Sequence, residues 1–313
     1  MYKGLHHIGI GVSDMDRSLE FYGDLLGFTQ TMFDYTGSIP SMEGVTGKSK
    51  TNARVVMLKN QNTGPLGLGM IKLVHLLPPD KPEPCFIQQM SSGKPESPTV
   101  AGALRWGDVA IAEACFNTRV STSEITEQLA DKGVKVERTA TTLKFPPYDA
   151  ETTFTYVRDP DNSLLELADW EMGKSLGTEA RVEGVNHVGF GVSDIDRSRK
   201  FYQELGFTDM VFDTTGGRMS VTMMANYYGA WIEAIQFGAP DKPAPFNKGW
   251  GHLGPMEFAV EVTNIEKAYE ELQERGIKFL CPPQTVEVSS GYWKYAYVVE
   301  PDNLYVSLIE PRY

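Results

Sequence analysis

The chain has 313 residues, 41% of them hydrophobic and 22% charged, an ordinary globular composition with length for two cores rather than one. Its 29 Lys and Arg residues are outnumbered by 41 Asp and Glu, giving a net charge of −12 at pH 7. That charge repels phosphate backbones, and no local basic cluster offsets it, so nucleic acid is not an expected partner.

No apolar run reaches the roughly 18 residues of a membrane span, so no membrane partner is expected either. Cys85, Cys115 and Cys281 are scattered, with no CxxC pair, and read as reduced core or surface residues of a cytosolic protein. The chain enters a patterned strand within about five residues, which argues against a signal peptide. The expected location is cytoplasmic.

Leu5–Val12 alternates apolar residues with His7, Gly9 and Gly11, the period of a strand with one face on a core. Ser13 or Asp14 then supplies an N-cap, and Met15, Leu19, Tyr22 and Leu26 recur at helical spacing until Gly27. This predicts a short amphipathic helix. Strand-like pieces follow at Thr29–Asp34, Ala53–Leu58 and Gly69–Leu76, with Gly37–Lys50 as the longest loop. The order is β-α-β-β-β.

A Pro-rich stretch from Pro78 opens a long polar connector that runs to about Gly102. Beyond Trp106-Gly107 a strand is predicted over Glu113–Thr118 and a helix over about Thr122–Lys132. Further strands are predicted at Val134–Glu137, Thr139–Phe145, Phe154–Asp159 and Ser163–Ala168, with Asp159-Pro160-Asp161-Asn162 as the turn before the last. The same order has returned.

The second half repeats the first. Val185-Asn186-His187-Val188-Gly189-Phe190-Gly191-Val192-Ser193-Asp194 restates Leu5-His6-His7-Ile8-Gly9-Ile10-Gly11-Val12-Ser13-Asp14. Trp250-Gly251 restates Trp106-Gly107, and Glu300-Pro301-Asp302-Asn303 restates Asp159-Pro160-Asp161-Asn162. Four βαβββ modules result, about 1–79 and 103–172 in a first half (1–172), and about 181–240 and 249–313 in a second half (181–313).

Overlaying the modules aligns first-strand positions His7, Glu113, His187 and Glu257 with last-strand positions Lys72, Glu166, Glu233 and Ser307. Six of these eight are potential metal ligands. Taken singly, a strand histidine is more often a satisfied core or surface group, and a strand glutamate more often faces water. A glutamate in an apolar strand such as Leu164-Leu165-Glu166-Leu167-Ala168 needs a partner charge or a metal once buried. Recurrence at equivalent places favours a site.

On the strand-one signature, the Leu26-Gly27-Phe28 and Leu205-Gly206-Phe207 helix ends, and the Asp159–Asn162 turn before Glu166, the chain resembles the vicinal oxygen chelate superfamily. That superfamily includes glyoxalase I, methylmalonyl-CoA epimerase, extradiol dioxygenases and bleomycin resistance proteins. The resemblance implies an α+β fold in which modules pair into two cupped eight-stranded mixed sheets flanked by helices. It places a metal on the first-strand and last-strand positions of paired modules. If neighbours pair, one cup holds His7, Lys72, Glu113 and Glu166 and the other His187, Glu233, Glu257 and Ser307. If the inner two pair, Glu113, Glu166, His187 and Glu233 share one cup, and Lys72 sits beside Glu257 in the other. The second scheme is preferred, because one cation then offsets the repulsion among three carboxylates.

By the same resemblance, one divalent ion (Zn, Ni, Co, Mn or Fe) is held by His187, Glu233, Glu113 and Glu166. Glu166 and Glu233 are the candidate bases of a lyase, isomerase or epimerase working through an enediolate on a small substrate with vicinal oxygens. An extradiol dioxygenase, needing two His and one carboxylate, is a weaker alternative, kept open by His252. A non-catalytic, resistance-type binding protein is another, its cup lined from Tyr227, Tyr228, Trp231, Tyr292, Trp293 and Tyr295, although aromatics at strand spacing are more often packing. His6 and His75 are expected to point away from the cups. A monomer or homodimer is expected.

Overall fold

The computed structural model describes residues 2–60, 69–83, 86–87, 90–91, 94–95, 99–100, 106–118, 121–145, 150–170, 182–214, 219–226, 229–238, 246–247, 249–288 and 291–312. Within them each module supplies four long strands. The first has β1 (Tyr2–Gly11), β2 (Gln30–Ser38), β3 (Asn52–Lys59) and β4 (Met70–Leu76); the second has β5 (Ile111–Thr118), β6 (Lys135–Phe145), β7 (Ala150–Arg158) and β8 (Leu164–Trp170). The third has β9 (Val182–Gly191), β10 (Asp209–Thr214), β11 (Met219–Ala225) and β12 (Trp231–Phe237). The fourth has β13 (Gly254–Val262), β14 (Gln284–Val288), β15 (Gly291–Val299) and β16 (Tyr305–Arg312).

Modules one and four form one eight-stranded sheet, in the order β14-β15-β16-β13-β1-β4-β3-β2. Modules two and three form the other, β6-β7-β8-β5-β9-β12-β11-β10. The inner modules therefore pair with each other, and so do the outer ones. Each sheet is mixed: β1 runs parallel to β4 and antiparallel to β13, and β9 runs parallel to β12 and antiparallel to β5.

Helix starts repeat with the sequence. Asp14, Ser121, Asp194 and Asn264 each accept a hydrogen bond from the backbone N–H three residues on, which satisfies a donor the helix leaves open. Helices Thr122–Asp131, Ile195–Glu204 and Ile265–Glu274 follow three of these caps. The first module departs from them: its helix is α over Met15–Leu19 and widens to π over Glu20–Leu25. The two strands predicted at Val134–Glu137 and Thr139–Phe145 are one strand, β6, whose pairing with β7 shifts register between Val136 and Thr141. A β-bulge gives the same interruption of pattern as a strand end.

Alternation along the first strands sorts their side chains. Ile8, Ile10, Val188, Phe190, Phe116 and Phe258 enter a single core shared by all four modules, while His7 and His187, one residue out of phase, face the other way. In that shared core Phe190 stacks on Phe258 at 5.6 Å, and Phe28 meets Phe116 edge-on at 5.3 Å. Burial of each ring contributes roughly 1.5–3 kcal/mol.

Neighbouring modules are also clamped through their Asp-Pro-Asp-Asn-type turns. Asp161 accepts from the Ser13 N–H at 2.9 Å, from the Ser13 hydroxyl and from Arg17 at 2.8 Å. Asp302 repeats this with Ser193 and Arg197. The turns thus tie module two to one and four to three, while the sheets join one to four and two to three.

Candidate metal centre

The strand registers place the eight overlaid positions equivalently. On each first strand the residue two beyond the candidate ligand pairs with the last-strand candidate: Gly9 with Lys72, Cys115 with Glu166, Gly189 with Glu233 and Ala259 with Ser307. Both candidates therefore stand on one face of each sheet.

In the inner sheet four of them converge. His187 Nε2 lies 3.5 Å from a Glu166 oxygen and 3.9 Å from oxygens of Glu113 and Glu233. Glu113, Glu166 and His187 are buried, and Glu233 is nearly so. Trp106 Nε1 donates to Glu113 at 3.0 Å and to Glu233 at 3.3 Å, and the Tyr156 hydroxyl donates to Glu166 at 3.3 Å. The seven-residue interval from Trp106 to Glu113, visible in the sequence as spacing alone, is a hydrogen bond.

His187 Nδ1 lies 2.7 Å from Asn186 Oδ1, and Asn186 Nδ2 donates to Asn117 Oδ1 at 2.7 Å. Because the amide oxygen only accepts, the neutral His187 ring carries its proton on Nδ1, so Nε2 is the atom that faces the carboxylates, as a lone pair for a metal or as a second N–H when the ring is charged. Nε2 and Glu113 Oε2 are buried without a hydrogen-bond partner.

Three carboxylates share one dry pocket, and two of them resist ionisation. Burial, then Glu166 and Glu233, push the Glu113 carboxyl well above the ordinary carboxylate range. Burial also raises Glu233, against the pull of His187, and Glu166 adds to the rise. Burial by itself would depress the His187 imidazole, but Glu166 and Glu233 outweigh it, and its pKa lies above the ordinary 6.5. Protons are held where a cation would otherwise balance the charge. The orphaned Nε2, the unpartnered Oε2 and this mutual repulsion fit a divalent ion with nitrogen and oxygen ligands.

Cys115 also belongs to this cluster. It pairs in register with His187 and with Glu166, and its Sγ lies within 4.8 Å of ligand atoms of both. Burial and the neighbouring carboxylates, Glu166 first, keep the thiol protonated well above its ordinary pKa. It stands two residues from Glu113 on a strand, and that alternation could have revealed it in the sequence.

In the outer sheet His7, Lys72 and Ser307 line a cavity of about 670 Å³, with Glu257 buried behind Lys72. Lys72 Nζ pairs with Glu257 Oε1; Trp250 Nε1 at 2.9 Å and the Tyr297 hydroxyl donate to Glu257 Oε2. An ammonium stands where the inner sheet gathers ligands. Residues Pro40–Met42 and Glu43–Thr46, within the loop expected over Gly37–Lys50, form short helical turns beside this cavity.

Contrary to the expectation that it points away from the cups, His6 packs edge-on against Trp293 of the outer cavity at 5.5 Å, because a bulge between Leu5 and His7 breaks the alternation; the other candidates lie apart. His6 is buried with its Nδ1 2.8 Å from His7 Nδ1, and His75 Nδ1 lies 3.0 Å from the Val12 carbonyl. His252 Nδ1 accepts from the Gly249 N–H. Of the six aromatics considered for a cup, Trp293 and Tyr295 line the outer cavity, Trp231 packs beside Cys115 and Phe154, and Tyr292 is exposed. Tyr227 and Tyr228, like Cys85, lie outside the described residues.

A family model described as Glyoxalase/Bleomycin resistance protein/Dioxygenase superfamily matches residues 4–167 and 184–307. Lactoylglutathione lyase of Schizosaccharomyces pombe is 23% identical over 338 residues, covering 99% of this chain and 97% of that protein. Among solved structures, glyoxalase I from Zea mays superposes with a TM-score of 0.63 at 18% identity, over 98% of this chain and 92% of that one. A putative dioxygenase from Bacillus subtilis gives 0.63 at 13% identity, over 99% and 85%. No helix among the described residues is long and apolar enough to cross a membrane.

Proposed function

Starting from a chain that belongs to the Glyoxalase/Bleomycin resistance protein/Dioxygenase superfamily, we propose a metal-dependent lyase or isomerase acting on a small substrate with two adjacent oxygens. One observation carries the reading: an orphaned, buried His187 Nε2 facing the carboxylates of Glu113, Glu166 and Glu233 within 3.5–3.9 Å. These four residues would hold the ion, one per chain. Bound there, a divalent cation supplies Lewis-acid stabilisation of negative charge developing on the substrate oxygens.

The protein groups provide the rest. Glu166 and Glu233 are the proposed bases for a carbon-bound proton; each keeps one neutral donor, Tyr156 or Trp106 respectively, which holds the carboxylate in place without itself taking up the proton. Asn186 fixes the His187 tautomer. A two-histidine oxygenase site is less well supported, because His187 is the single histidine in both candidate ligand groups found among the described residues.

Elemental analysis of the purified protein tests the proposal, with about one divalent metal per chain expected. Glu166→Gln should keep fold and metal while abolishing formation or cleavage of lactoylglutathione, the compound in the name of the fission-yeast relative. A native protein free of metal ends the reading.

A further inference from the structure

We propose that the outer cup is a second, metal-independent binding site for an uncharged, planar, largely apolar molecule carrying a carbonyl oxygen at one end. The inference does not depend on the reading of the inner centre. The cavity, about 670 Å³, lies within the range of small-molecule sites. Its walls include Phe33, Trp250, Trp293, Tyr295 and Tyr297, aromatic faces suited to a flat ring system.

The base is polar and selective. His7 lines the cavity, is 1% exposed, and its Nε2 has no hydrogen-bond partner. Such a group costs stability unless something reaches it. Lys72 and Ser307 stand beside it on the cavity floor. The ammonium spends one hydrogen on Glu257, which leaves others for a ligand oxygen.

Charge decides the class. The Lys72–Glu257 pair is already neutral, so the floor has no free positive charge for an anion. Asp34 and Glu287 add negative charge to the walls. A carboxylate would lose hydration with nothing to replace it, whereas a carbonyl oxygen accepts from Lys72 at little cost. The same pair replaces a cation, so no metal is needed.

The test is a titration of the full-length protein in EDTA with 2-acetylnaphthalene, followed by tryptophan quenching and calorimetry, with naphthalene and 2-naphthoate as comparisons. One molecule of the ketone should bind per chain, about tenfold more tightly than either comparison, the difference one lost polar contact makes. Val286→Trp and Ile39→Trp, which fill the cavity from two different segments, should each weaken binding by about tenfold or more. Glu166→Gln, confined to the inner centre, should leave it unchanged. No binding at the solubility limit, tighter binding of 2-naphthoate, sensitivity to Glu166→Gln, or indifference to both cavity-filling variants would each overturn the proposal.

Discussion

Glu113 faces Gly189 across the antiparallel ladder of the inner sheet, and its side chain fills the space that a Cβ on Gly189 would occupy. Glu257 and Gly9 stand in the same relation in the outer sheet. The first glycine of each Gly-x-Gly strand is thus the seat of a glutamate from the partner module. Gly189→Ala should displace Glu113, cost about 1–3 kcal/mol in a denaturant melt through overpacking, and strip the metal from the purified protein. Full metal occupancy in that variant would show that Glu113 is not a ligand.

Asn186 bonds to His187 and Asn117. Asn186→Ala releases the imidazole tautomer, so metal affinity in a chelator-competition titration should fall about 10–100-fold. An unchanged affinity would mean that His187 is oriented by its packing alone.

In the outer cup Lys72 shields a fully buried Glu257. Lys72→Met leaves that carboxylate unpaired and should destabilise the protein by about 3–5 kcal/mol. Adding Glu257→Gln, which still accepts from Trp250 and Tyr297, should restore most of the loss. A double variant no more stable than the single one would contradict this account of the pair.

Asp159 contributes one part of the pH dependence, outside the candidate metal centre. Burial raises its carboxyl from an ordinary 3.8 to about 6, although the Tyr22 hydroxyl and the Ser163 N–H pull the other way. A folded pKa above the unfolded one means that the native state holds the extra proton. Stability from this group is therefore greatest below pH 4 and declines as the pH climbs through 6, by on the order of 3 kcal/mol. Urea midpoints from pH 4 to 7 should show a decline in the native protein, and Asp159→Asn should make it shallower. An equal slope in the variant would assign the effect to other groups.

Local signals were enough for much of this molecule. Period-two alternation marked β1 and β9 with His7 and His187 facing away from the core. A cap at Ser13 or Asp14 marked the first helix start, and internal repetition alone aligned Glu113 with Glu257 and Glu166 with Ser307. Such features depend on neighbours within a few residues, so they are written directly in the order of side chains. The bulge that joins Val136 to Thr141 within β6 was not, because an extra residue in a strand looks the same as a break until its partner strand is known.

The partner of each sheet edge was favoured by the sequence but not fixed by it. Charge balance among Glu113, Glu166 and Glu233 pointed to repeats two and three sharing a sheet, yet connectors of this length permit repeats one and two to close at similar entropic cost. Only the packed structure chose, by setting β5 against β9 and β1 against β13. That choice brings Glu113 and Glu166 to His187 and leaves Lys72 to neutralise Glu257. A residue's type is decided by the chain, but the charge it meets is decided by what folds against it.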